Sequence, residues 1–98
     1  MKFTQIVEFK TRRIDDFNAS LDAWMITTEG TRIPHQAILS RDRDADDRYL
    51  LTVEFASYDD GMENSNHPET SEFAAVLAEI SDGALTFRNL DVIRAEDL

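Results

Sequence analysis

The sequence predicts an α+β fold in which a four-stranded antiparallel sheet carries two helices on one face. Three observations lead there. Apolar residues alternate with a period of two over residues 3–10 and 49–55, and recur at helical spacing over residues 14–25 and 73–80. Read along the chain, these periods give the order strand, helix, strand, strand, helix, strand, which is the split βαβ arrangement of ferredoxin-like folds.

Each element has its own warrant. Residues 3–10 are β-branched and aromatic-rich, with Phe3, Val7 and Phe9 on one face and Thr4, Ile6, Glu8 and Lys10 on the other. Ile6 on the more polar face implies that this strand meets something on both sides. Ile14, Phe17, Leu21, Trp24 and Met25 then form a stripe about 100° wide, as a core-facing helix requires. Asp15 and Asp16 favour its positive end, and Gly30 is placed to end it in a left-handed conformation. Ile26 lies off the stripe, either as an isolated surface residue or as part of a subunit contact.

Residues 33–41 read as a second strand with Pro34 near its start, which suits an edge. A charge-dense connector, residues 42–47, leads into the third strand and makes a long-looped hairpin. The connector lacks the glycine and terminal glutamate of a calcium loop. Ser57, with Asp60 three residues on, caps a short helical turn running through Met62. Pro68 breaks the chain and opens the second helix, in which Phe73, Val76, Leu77 and Ile80 follow i, i+3, i+4, i+7. Residues 85–93 return as strand four, where Leu90 and Val92 share a face with Leu85 and Phe87 only if a bulge intervenes near Asn89.

Composition excludes several functions. Twenty acidic against ten basic residues give a net charge of -10, which repels phosphate backbones and anionic lipid surfaces, so neither nucleic acid nor membrane is an expected partner. The chain has no cysteine, which removes disulfides and thiolate chemistry, and two histidines in unrelated elements do not make a zinc site. No signal-peptide pattern or membrane-spanning run appears, so a soluble cytoplasmic protein forming a single domain over residues 1–98 is expected. Phosphate-loop, nucleophile-elbow and dinucleotide fingerprints are absent.

The run Y-L-L-T-V-E-F-A-S-Y-D-D-G-M-E-N-S-N-H-P-E-T-S-E-F, with D-G-A-L-T-F-R-N-L-D-V-I-R after it, resembles the dimeric α+β barrel proteins of the antibiotic-biosynthesis-monooxygenase type. The resemblance spans almost the whole chain. It implies a homodimer with sheets face to face and, in each protomer, a pocket between sheet and helices for a small aromatic or apolar molecule. It also implies cofactor-independent oxygenation of quinol-type compounds, or else ligand binding without catalysis. With Phe73 aligned to the family's helical phenylalanine, the tryptophan of the haem-degrading branch falls on His67, its haem-ligating histidine on Leu77 and its asparagine near Val7. Haem degradation is therefore not expected, and no cofactor is.

Against that background, residues 64–67 form the expected pocket rim. His67 either caps the following helix or faces the pocket as the catalytic base for a phenol. Asn64 and Asn66 either bond their own turn or bind a substrate carbonyl through their amides. Trp24 and Phe73 are either core residues or aromatic walls for the substrate. His35 reads as a surface residue.

Overall fold

The structure, a computed structural model, describes residues 1–98. Strands β1 (Phe3–Lys10), β2 (Gln36–Arg41), β3 (Arg48–Phe55) and β4 (Thr86–Asp91) form one sheet in the order β2-β3-β1-β4, with every neighbouring pair antiparallel. Helices α1 (Ile14–Thr27), α2 (Tyr58–Ser65) and α3 (Pro68–Ile80) complete the α+β, ferredoxin-like arrangement.

Phe3, Val7 and Phe9 of β1 and Tyr49, Leu51 and Phe55 of β3 are buried on the helix-covered face. Phe17 of α1 and Leu77 and Ile80 of α3 close over them. One end of this layer is packed by rings: Phe17 stacks on Phe9 at 5.4 Å and meets Phe73 edge-on at 5.5 Å, while Phe9 stacks on Tyr49 at 5.8 Å. The same end is tied by Thr11. Its buried hydroxyl donates to the Ile80 carbonyl at 2.7 Å and accepts from the Arg13 N–H, and its own N–H donates to the Asp47 carbonyl. One residue thus fastens the start of α1 and the end of α3 through its side chain and the β2–β3 connector through its backbone.

Ser57 caps as expected, accepting from the Asp60 N–H at 3.1 Å. The helix it starts is longer than a single turn, because Gly61 lets α2 lie directly on β1: a Cβ there would come within 2.7 Å of the Phe3 ring. Pro68 occupies the first turn of α3, and Gly30 follows α1 with φ +81°. Two expectations are corrected. The second strand starts at Gln36, pairing being opened by His35 N–H donating to the Glu54 carbonyl, so Ile33 and Pro34 precede it. Strand four has no bulge: its register runs unbroken from Phe3 opposite Asp91 to Glu8 opposite Thr86. Regular alternation therefore puts Leu90 opposite Thr4 on the other face of the sheet from Phe87.

That second face has no helix over it. It carries Ile6, Ile38, Leu50 and Leu90, of which Ile38 and Leu90 are 47% and 43% exposed. No helix of the chain is long and apolar enough to cross a membrane.

Gly61→Ala is expected to destabilise the fold. The Phe3 ring that the new methyl meets is itself wedged against Phe55 and Tyr58, so overpacking of about 1–3 kcal/mol outweighs the gain of about 1 kcal/mol in helix propensity. The denaturation midpoint, followed by circular dichroism, should fall, and further for Gly61→Val; an unchanged midpoint would mean that the ring yields freely.

Candidate functional site

Ring packing closes one end of the layer, and a cavity opens beyond it between sheet and helices. There β1 and β3 contribute Gln5, Val7, Leu51, Val53 and Phe55, while α1 contributes Leu21 and Trp24. From α3 come Phe73, Ala74 and Leu77, and the space they leave is a cavity of about 120 Å³. That is close to the roughly 150 Å³ void that takes up a benzene ring in an apolar protein core. Phe87 of β4, Ala37 of β2 and Ala74 of α3 line it and are exposed, Phe87 at 56%, so the cavity opens to solvent there.

The lining is apolar apart from Gln5, Asn64 and Thr70. Asn64 is 9% exposed; its Oδ1 accepts from the Thr70 hydroxyl at 3.4 Å, and its Nδ2 donates to no protein group. Gln5 is arranged the other way round. Its Nε2 donates to Asn89 Oδ1 at 3.2 Å, which leaves Oε1 and the second Nε2 N–H free. The cavity thus presents two amides with donor and acceptor capacity to spare against aromatic and aliphatic walls.

Trp24 is fixed from behind. The Arg32 guanidinium sits 5.4 Å from the centre of its ring, with Nη2 donating to the Met25 carbonyl at 2.6 Å and Nε to Thr28 Oγ1 at 3.3 Å. Thr28 in turn donates its hydroxyl to the Trp24 carbonyl at 2.7 Å. α1 has no basic residue in its last turn, and Arg32 folds back to satisfy the negative end of the helix. The Trp24 indole N–H has no partner in the protein, whose side-chain hydrogen bonds do not include it. At the far end of α1, hydrogen bonding and charge pairing with Asp16 raise the pKa of Arg13, away from the cavity.

Of the residues singled out in the sequence, Trp24, Asn64 and Phe73 come together in the cavity wall. Asn66 ends α2 and is exposed. His67 is half-buried at the N-cap of α3, makes no side-chain cap hydrogen bond, and is not among the lining residues; its N–H donates to the Asn64 carbonyl at 3.2 Å. Sequence reasoning passed over Gln5, Thr70 and Arg32. Gln5 did carry a signal, as the polar residue that interrupts the buried alternation of Phe3, Val7 and Phe9. Arg32 carried none, since its contact depends on how the chain turns after α1.

No family model matches the sequence, and no curated protein matches it. Solved structures do. SnoaB, a cofactor-independent oxygenase from Streptomyces nogalater, matches with a TM-score of 0.78 at 15% identity, over 96% of this chain and 95% of its own. A Mycobacterium tuberculosis protein matches with a TM-score of 0.77 at 18% identity, over 99% of this chain and 100% of its own. A Caulobacter crescentus protein, provisionally named an antibiotic biosynthesis monooxygenase, reaches 0.79 at 14% identity, over 95% of this chain and 91% of its own. What the chain shares with them is the fold, which is that of antibiotic-biosynthesis-monooxygenase-like proteins, as the sequence resemblance implied.

Arg32→Ala is expected to release Trp24. Loss of the ring contact should cost about 0.5–1 kcal/mol. The emission of Trp24, the chain's single tryptophan, should shift to longer wavelength as the indole gains solvent. An unchanged spectrum would show that α1 alone holds the ring.

Proposed function

We propose that this chain binds a small aromatic molecule, of quinol or phenol type, in the cavity beneath Trp24 and Phe73, and oxygenates it without a cofactor. The observation that carries the proposal is the cavity itself: ring-sized, apolar, and equipped with two free amide functions. Support comes from the fold, shared with a cofactor-independent oxygenase at a TM-score of 0.78. Such a reaction needs nothing from the protein as electron donor. An unsubstituted ring carbon ortho or para to the substrate hydroxyl, a CH₂ group in the keto tautomer, gives up two hydrogens, one oxygen atom of O₂ becomes a carbonyl there and the other leaves as water, so the substrate is itself the reductant.

In this proposal Trp24 and Phe73 sandwich or edge the ring, worth about 0.5–1.5 kcal/mol for each aromatic contact beyond area burial. Asn64 Nδ2 donates to a substrate oxygen, and Gln5 Oε1 accepts from a substrate hydroxyl. A second reading, binding without catalysis, is favoured by one observation: no lining residue is a general base.

The two readings separate experimentally. Oxygen consumption with single-ring quinol substrates, abolished in Ala74→Phe, is the expected result for an oxygenase. A ligand that raises Tm by mass action and is recovered unchanged would leave the binding reading standing. Asn64→Ala should weaken binding about tenfold, as the loss of one hydrogen bond to a buried group of about 1–1.5 kcal/mol implies.

The same proposal includes a homodimer through the uncovered sheet face, where Ile6, Ile38, Leu50 and Leu90 lie without an intramolecular partner. Light scattering at micromolar concentration should give twice the mass of one chain, and Ile38→Glu should return it to the single-chain mass. A single-chain mass for the unaltered protein would remove the dimer.

A further inference from the structure

Resting on the reading that the cavity binds a ring-sized aromatic molecule, we infer that it accepts that molecule only in its uncharged, protonated form, and that the protein contributes no proton acceptor inside.

No lining residue is ionisable. The charged groups of the elements around the cavity are held elsewhere. On β1, Glu8 and Lys10 alternate onto the other face of the sheet, and so do Glu54 of β3, which pairs with Lys2 at 3.2 Å, and Arg88 of β4, opposite Ile6. Asp91 of β4 is exposed, as are Asp22 of α1, Glu63 of α2 and Glu72 of α3; Asp60 and Glu69 are half-buried outside the lining. His35, before β2, is exposed, and His67 lies outside the wall. Arg32 is the cation nearest to Trp24, and its guanidinium is engaged with the Met25 carbonyl and the Thr28 hydroxyl.

The two amides reinforce this choice. Asn64 offers the N–H groups of its Nδ2, and Gln5 offers its Oε1 beside one remaining N–H. A neutral hydroxyl, donor and acceptor at once, satisfies both. An ionised one has no proton for Gln5 Oε1 and exchanges its hydration for neutral amides, with no cation among the lining residues to balance its charge. The field of a chain at net charge -10 opposes its entry as well. Any deprotonation of a bound substrate would then have to pass its proton to water on the Phe87 side.

The test uses two single-ring phenols that ionise at different pH, 4-nitrophenol and 4-cyanophenol, with quenching of Trp24 fluorescence as the readout. Each should bind with constant affinity below its own ionisation and lose about tenfold in affinity per pH unit above it, as binding of the protonated form alone requires. The two breaks should be separated by the difference between the phenols' own pKa values. Equal or tighter binding of the phenolates would overturn the inference, as would breaks that coincide at one pH, since a protein group would then be titrating. Absence of quenching by either phenol at any pH, or binding undiminished in Ala74→Phe, would instead overturn the cavity reading on which the inference rests.

Discussion

Phe17 is the residue on which the architecture turns. It stacks on Phe9 beneath it and meets Phe73 beside it, so one side chain joins the sheet, α1 and α3 at a single point. Each such ring pair adds about 0.5–1.5 kcal/mol beyond the area it buries, and Thr11 fastens the same end by hydrogen bonds. Two helices pinned at one end over a twisted sheet do not cover it evenly. The cavity lies beyond that pinned end, between the sheet and both helices.

What fills the far end explains why the cavity stays small. α2 lies across Phe3 because Gly61 has no side chain, and Phe55 and Tyr58 close around that ring. A second packed cluster therefore seals the bottom, leaving a slot bounded by Trp24, Phe73, Asn64 and the strands. Arg32 supplies the last constraint by holding the end of α1 and the face of Trp24 together. The volume of the site is thus set by packing on either side of it.

Most of the fold was legible in the sequence because it rests on periodicity, which is a local property. The span of β1, the starts of α1 and α3, the Ser57 cap and the Pro68 break all follow from residue types at fixed spacing. Strand four was harder. Leu85, Phe87, Leu90 and Val92 invite the idea of one apolar face, whereas the structure keeps strict alternation and leaves Leu90 on the uncovered face. An apolar residue there looks misplaced only while that face is assumed to meet water. The site was legible in part: Trp24, Asn64 and Phe73 share the cavity wall because stripe and turn positions project inward. Arg32 was out of reach, since its partners are chosen by the path of the loop after α1.

Stability alone gives no reason for the two amides. Neither amide is buried without a partner, Gln5 bonding Asn89 at an exposed position, but neither adds apolar contact to the wall. Gln5 and Asn64 each bond one neighbour, Asn89 and Thr70, and each keeps hydrogen-bonding capacity toward the cavity. Departures from local packing rules concentrate where a protein has a use for them. Here the departures flank the one space that the aromatic packing at either end leaves open, and they match the hydrogen-bonding pattern of a neutral hydroxyl on a single ring.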